Sequence, residues 1–246
     1  MSIFGHTRTR VRARHALIAP DGHVPSTFPS WENATTFVMI SPAMGANLSQ
    51  LLVTFTKDDG RAEFPADTHE HAIYVESGAC RVELADSSRI ELSTTGFIFI
   101  PSLSAFTLHG DATTRLTIFR KIFTPHPSLD APPIVHGLAS DIPGEPFLGN
   151  PRALLQTLLP IDPRYDLAMN IFTYQPGATL PFVETHIMEH GLLMLAGQGI
   201  YRLEEEFYPV TAGDAIWMAP YCPQWFVAMG DAPASYLYYK DVHRLP

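Results

Sequence analysis

Glu184, His186 and His190 lie within seven residues of one another in the stretch LPFVETHIMEHGLLMLAGQG (180–199). A carboxylate and two imidazoles at E-x-H-x3-H spacing are donors suited to a divalent first-row metal ion. On extended backbone the three share even parity, as does Met188, so one strand face would carry them all. A bend before His190 would instead place it on the neighbouring strand, and parity alone leaves both arrangements open. Three ligands make an incomplete shell, so a fourth is expected from a returning strand. A polar rim is the bland alternative, against which stand the apolar run and glycine that follow. By contrast His23, His109, His126 and His136 stand alone and read as structural.

The rest of the chain must supply the scaffold. It has 246 residues, 46% of them apolar, ample for a packed core. The net charge of −9, from 25 acidic against 16 basic residues, argues against broad binding to nucleic acid. Arg8, Arg10, Arg12 and Arg14 are a local exception; on a strand they would share a face, read as a solvated edge or subunit contact, with an anion contact as the alternative. The N-terminal MSIFGHTRTRVRARH lacks the apolar core of a signal peptide, and no window approaches a membrane span. Cys80 and Cys222 provide no disulfide framework. The expectation is a cytoplasmic protein in a reducing compartment.

Prolines (22) and glycines (16) cut the chain into short segments rich in Val, Ile, Phe, Tyr and Thr. FVMISP (37–42), LLVTFT (51–56), AIYVESG (72–78), RLTIFRKIF (115–123), NIFTYQPG (170–177) and AIWMAPY (215–221) read as strands, and no long amphipathic helix is evident. That predicts an all-β barrel or sandwich. Residues 124–164 are the least strand-like and read as a linker, with one short helical turn around Arg152–Leu159.

Those strands repeat. Placing HEHAIYVESGACRVEL (69–84) under MEHGLLMLAGQGIYRL (188–203) aligns Glu70-His71 with Glu189-His190 and Gly78 with Gly197. Further on, Thr95-Gly96 matches Ala212-Gly213, Pro101 matches Pro220, and Arg120 matches Lys240. The chain therefore reads as two β-barrel repeats: 1–123 with an N-terminal strand segment, a linker at 124–164, and 165–246 carrying the metal site.

A glycine-punctuated repeat with ligands clustered ahead of its first glycine resembles a cupin, and the whole chain resembles a bicupin of two tandem jelly-roll barrels. More narrowly, RHALIAPDGHVPS (14–26), ETHIMEHGLLMLAGQGIYRL (184–203) and PQWFVAMGDAPASYLYYKDVHR (223–244) are similar to the (S)-ureidoglycine aminohydrolase family. The resemblance spans nearly the full length and is most specific in the C-terminal half. It implies metal-dependent hydrolysis of (S)-ureidoglycine to (S)-ureidoglycolate and ammonia in allantoin breakdown.

With the family in view, Gln224 in APYCPQWF is the candidate fourth ligand. It follows the proline turn where single-histidine cupins commonly place their last histidine, and it completes the family's Glu, His, His and Gln pattern. Oxygen donors mixed with imidazole suit Mn2+ or Fe2+ and accommodate Zn2+; the resemblance implies Mn2+. Tyr236 and Lys240 lie four apart in YLYYK, on one face of the last strand. An inward lysine needs an anion, which a substrate carboxylate or Glu184 would supply. Lys240 and Tyr236 are expected to bind that carboxylate and Tyr201 to donate a hydrogen bond. Glu184 is the candidate general base. Trp217, Trp225 and Phe226 read as barrel wall, and Cys222 as a loop residue rather than a thiolate ligand.

In the first repeat Glu184 faces Pro65, His186 faces Asp67, and the Gln224 position falls near Ala105–Phe106; only His71 matches a ligand. A metal-free first barrel is expected. The rival readings are a non-haem Fe(II) cupin dioxygenase, which shares the two-histidine, one-carboxylate composition, and a non-catalytic ligand-binding bicupin. The expected partners are a small ureide substrate and further copies of the chain in a homo-oligomer, since exposed strand edges favour pairing.

Overall fold

The structure, a computed structural model, describes residues 5–242. Among these residues it consists of β-strands and three 3-10 turns, Pro20–Gly22, Pro42–Met44 and Ala139–Asp141, in line with the all-β expectation. None of its helices is long and apolar enough to cross a membrane. The chain forms two compact units.

One unit comprises Pro25–Pro143, Gln156–Met169 and the segment from Val242. Its six-stranded sheet runs Val135–Leu138, Gly96–Ile100, His69–Ser77, Arg115–Ile122, Leu48–Phe55, Ala34–Ile40. A five-stranded sheet, from Trp31–Glu32 to Arg89–Ser93, faces the same core. The other unit comprises the segment ending at Val24, Gly144–Leu155 and Asn170–Asp241. At the centre of its eight-stranded sheet stand Ala215–Met218, His190–Ala196, Ala234–Asp241 and Leu167–Tyr174, and its three-stranded sheet holds Gln198–Leu203 between Glu206–Thr211 and Gln224–Met229.

The repeat holds at the level of register. His71 pairs with Ile100 on one side and Arg120 on the other, and His190 pairs with Met218 and Lys240. Gly78 and Gly197 close both hairpins at φ of 74° and 71°. A Cβ at Gly197 would meet the Pro233 carbonyl oxygen at 2.5 Å, so the turn requires glycine twice over.

Three expectations are corrected. Residues 124–164 are not a linker: they contribute Val135–Leu138 to the first barrel, and Glu145–Phe147 with Asn150–Thr157 extend the large sheet of the second. The helical turn around Arg152–Leu159 is mostly that last strand, because ALLQT finds a sheet edge to pair with and tertiary pairing overrides local preference. The boundary at 123 also fails at the N-terminus. His15–Ile18 pairs with Ala215–Met218, so this segment belongs to the second barrel.

Physical chemistry explains that placement. Ala16 and Leu17 are buried in the second barrel, and burying a leucine side chain contributes about 1.5–3 kcal/mol. Arg8 donates two hydrogen bonds, at 2.6 and 2.7 Å, to the fully buried Asp214, a strong charge-assisted fork. The four arginines do not share a strand face, since only Arg10–Val11 is strand here. Arg12 donates to Glu206, Arg14 to the Pro220 carbonyl, and Arg10 to the carbonyls of Thr7 and Thr9. All four have hydrogen-bond partners within the chain.

Candidate metal and active site

Glu184, His186 and His190 do not lie on one continuous strand. Glu184 sits in the loop before His190–Ala196, where its backbone makes an isolated two-bond bridge to Gln224, at 2.8 and 2.9 Å. His186 is held in the same loop by Tyr221, whose N–H donates to its carbonyl at 2.7 Å. His190 opens the next strand. The bend that parity left open is therefore present, and the common face is replaced by a loop folded over the strand's start. The bridge sets Glu184 beside Gln224, the first residue of its strand after Pro223.

Glu184, His186, His190, Gln224, Tyr201, Tyr236 and Lys240 all line one cavity of about 150 Å³. That space suits a small polar molecule. Its apolar wall includes Phe147, Phe172, Leu180, Leu192 and Met218. Sequence reasoning missed Tyr238 and Phe147. Tyr238 shares parity with Tyr236 and Lys240, so the pattern that found those two could have found it. It stacks on Phe172 and meets His190 edge-on at 5.5 Å. Phe147 comes from the region read as a linker and packs edge-on against Phe172.

The imidazoles are oriented for coordination. His186 Nδ1 lies 3.2 Å from the Met188 carbonyl oxygen, and His190 Nδ1 lies 3.2 Å from that of Tyr239. A carbonyl only accepts, so each Nδ1 carries the ring proton and each Nε2 keeps a lone pair. Those two Nε2 atoms face each other at 3.1 Å. Two lone pairs so close repel each other, and a cation between them converts that repulsion into shared coordination. Burial lowers the pKa of His186 and, helped by His186 itself, pushes His190 down to about 3, so both rings stay neutral.

The Glu184 carboxylate stands 4.0 Å from His186 Nε2. Atoms bonded to one ion at first-row distances are at most about 4.3 Å apart, so these separations fit a single cation. As they stand, no three His, Cys, Asp or Glu side chains among the described residues meet at one coordination point. Beside His186 stands the amide of Gln224. That amide turns its NH2 group toward His186 Nε2 at 2.9 Å, while its oxygen accepts from the Tyr201 hydroxyl at 3.3 Å. The expected oxygen ligand therefore faces Tyr201 here, and a half-turn about its last torsion presents it to the cavity.

Burial raises the Glu184 pKa, opposed by the positive charge of Lys240. Lys240 makes no side-chain hydrogen bond or ion pair among the described residues, yet it is only partly exposed and lines the cavity. Tyr201 and Tyr236 are buried, and their pKa values are raised well above the ordinary phenol range by desolvation. They are neutral donors near neutral pH. Cys222 does not line the cavity, and burial pushes its thiol up to about 11, which excludes a ready thiolate.

The first barrel provides the contrast. Arg120, the register counterpart of Lys240, donates to Asp67 Oδ2 at 2.5 Å and lies 3.0 Å from His69 Nδ1. Phe106 opens its strand as Gln224 does, stacks on Phe64, and meets His71 edge-on. His71 is buried with neither ring nitrogen hydrogen-bonded. Desolvation first, then the Arg120 charge, pushes its pKa down to about 3.

A lowered histidine pKa means that the unfolded chain takes up the proton first. His71 therefore costs stability as pH falls from about 6.5 toward 3. His71→Leu should remove about 2 kcal/mol of acid destabilisation near pH 5 and leave stability at pH 7 equal or higher. Urea unfolding of both proteins at the two pH values checks this. Parallel curves would mean that His71 titrates normally.

The family model described as a cupin domain matches residues 170–239. A protein of Oryza sativa subsp. japonica named "Probable (S)-ureidoglycine aminohydrolase" is 38% identical over 251 residues, covering 98% of this chain and 77% of the relative. (S)-Ureidoglycine aminohydrolase of Arabidopsis thaliana is 36% identical over 98% of this chain and 80% of its own length. The crystal structure of protein Ylba from E. coli superposes with a TM-score of 0.86 at 30% identity, covering 98% of this chain and 96% of that one.

Proposed function

The chain belongs to the (S)-ureidoglycine aminohydrolase family, and from that premise we propose that it hydrolyses (S)-ureidoglycine to (S)-ureidoglycolate and ammonia in allantoin breakdown, at the donor cluster of its second barrel. The observation that carries the reading is the convergence of Glu184, His186, His190 and Gln224 on one small cavity that is also lined by Lys240, whose side chain makes no hydrogen bond or ion pair among the described residues.

On this reading Glu184, His186, His190 and Gln224 hold a divalent ion, which we assign as Mn2+, with Fe2+ and Zn2+ compatible with the same donors. Bound there, it supplies Lewis acidity and an anchor for the substrate's amino and carboxylate groups. Lys240 gives the carboxylate a countercharge in a largely apolar cavity, where an ion pair is stronger than in water. Tyr236 and Tyr201 supply neutral hydrogen-bond donors.

The reaction breaks the bond from the central carbon to the amine and forms a bond from that carbon to a water oxygen. One water proton stays in the new hydroxyl and the other departs with the amine as ammonia. Glu184, whose burial favours proton uptake, is placed to carry that proton. A carboxylate clamped by Lys240 and Tyr236 leaves the carbon open to water from one side, which is the basis of a single enantiomer. The first barrel, where Arg120 bridges Asp67 and His69, holds no catalytic cation on this reading, so His71 substitution should leave turnover intact. Exposed outer strands of the sheets suit homo-oligomer assembly.

The direct experiment is ammonia release from freshly generated ureidoglycine, with and without Mn2+, followed by chiral analysis of the ureidoglycolate. Metal-stimulated release of one enantiomer is expected. Racemic product at the spontaneous rate would overturn the reading.

A further inference from the structure

Two stretches that carry metal donors, 184–186 and 221–224, are zipped together by backbone. Tyr221 N–H donates to the His186 carbonyl at 2.7 Å, Gln224 N–H to that of Glu184 at 2.9 Å, and Glu184 N–H to that of Gln224 at 2.8 Å. Their alignment depends on the turn at 219–222, which closes with Cys222 N–H donating to the Ala219 carbonyl at 3.1 Å. Pro220 is its second residue, and Tyr221, its third, has φ of 59°. Glycine is the usual residue at a left-handed third position. A bulky side chain there is strained, and stays so only where the surroundings impose it. Tyr221 is 56% exposed, so burial of its own ring does not supply that support.

We propose that Arg14, from the N-terminal segment, is the brace that imposes it, and is thereby a positioning residue for Glu184, His186 and Gln224. Its carbonyl accepts from Ala219 N–H at 2.9 Å, and its guanidinium donates to the Pro220 carbonyl at 3.1 Å. The two residues directly ahead of Tyr221 are thus held from backbone and side chain at once. The same guanidinium stands 3.5 Å from the Glu204 carboxylate, and Glu204 N–H donates to the Pro223 carbonyl at 2.8 Å, beyond the turn. Both prolines have a locked φ, so fixing their carbonyls leaves Tyr221 little freedom to relax. Arg14 itself is presented from a firm base, because His15–Ile18 pairs with Ala215–Met218 and buries Ala16 and Leu17.

The first barrel repeats the turn but holds it differently. Leu103 has φ of 62° and donates to the Asp67 carbonyl at 2.6 Å, as Tyr221 does to that of His186. After Ile100, the strand partner of His71, comes Pro101, which has no N–H to give to a neighbouring strand. There the Asp67 carboxylate is the anchor, accepting from Arg120 at 2.5 Å and from His69 N–H at 2.8 Å. A side chain that must stay available to an ion cannot anchor its own loop. The second barrel therefore holds its loop from outside, through Arg14.

This inference rests on the reading of the Glu184 cluster as the cation site, and two measurements keep them apart. In metal-free protein, Arg14→Ala should speed amide hydrogen exchange at Tyr221 and Gln224 by about three- to tenfold, the worth of the hydrogen bond removed, with the amides of His190–Ala196 unchanged. In a paramagnetic resonance titration that reads free Mn2+, affinity should fall by about the same factor, since the ion must restore the strained turn. Arg14→Lys keeps a cationic donor for Pro220 and should recover most of both losses. Arg12→Ala removes an exposed ion pair from the same segment without touching the turn, and should change neither. Tyr221→Gly removes the strain itself, so adding Arg14→Ala to it should have less than about a twofold effect. Unchanged exchange and Mn2+ affinity in Arg14→Ala, or an undiminished effect in the Tyr221→Gly background, would overturn the brace and leave the family reading intact. Faster exchange in Arg14→Ala beside wild-type protein that binds no Mn2+ would support the brace and overturn the cation site instead.

Discussion

Lys240→Met should yield a folded protein that still binds Mn2+ but whose kcat/KM is lower by roughly a hundred- to a thousandfold, the typical worth of a preorganised electrostatic contact. Methionine keeps most of the lysine stem's volume, and register opposite His190 holds the backbone in place. The loss is therefore that of the charge. Lys240 makes no hydrogen bond or ion pair among the described residues, so its removal acts mainly on Glu184, whose pKa should rise further once the opposing cation is gone. The residual product should drift toward a racemate, since the carboxylate grip orients the reacting carbon. Turnover and chirality equal to wild type would assign Lys240 to the barrel rim instead.

Glu184→Ala should have the larger effect, at least about a thousandfold in turnover, because it removes the one anionic member of the proposed ligand set together with the candidate proton carrier. Two imidazoles and an amide leave the ion's charge uncompensated, so Mn2+ retained after dialysis should fall sharply. Glu184→Gln separates the two roles: an amide there restores part of the metal binding and none of the proton transfer. Elemental analysis beside steady-state kinetics on both variants checks the pair of claims. Full activity in the alanine variant would place the ligand set elsewhere. Brief chelation of the wild type should reproduce the loss of turnover, with recovery on adding Mn2+.

Much of this site was legible before any coordinates. E-x-H-x3-H ahead of an apolar run, a glutamine after a proline turn, and Tyr236 with Lys240 at matched parity led to seven residues, and one cavity is lined by all seven. Repeat alignment of His71 with His190 and Arg120 with Lys240 predicted pairings that appear residue for residue in the two sheets. Local patterns succeed here because donor chemistry and strand alternation belong to short segments.

The misreadings share a different cause. ALLQT looked helical, and residues 124–164 looked like a linker, because the short strands Glu145–Phe147 and Asn150–Thr157 carry little pattern of their own and are fixed by pairing with each other on the large sheet. Nothing in HALI (15–18) announces that its partner is AIWM (215–218). Parity left open whether His190 shares a strand with Glu184 and His186, and the bridge from Glu184 to Gln224 ahead of the strand at His190 is a tertiary pairing. Phe147 escaped notice because its place in the cavity wall depends on that mispredicted hairpin.

The sequence alone determined the two-barrel class, the residues expected to hold a metal and the family, because those reside in residue types and their spacing along short stretches. Tertiary structure alone decided which barrel receives the N-terminal strand and where the loop folds Glu184 against Gln224. Each of these depends on hydrogen bonds between residues far apart in the chain, and only the folded backbone brings their donors and acceptors within reach.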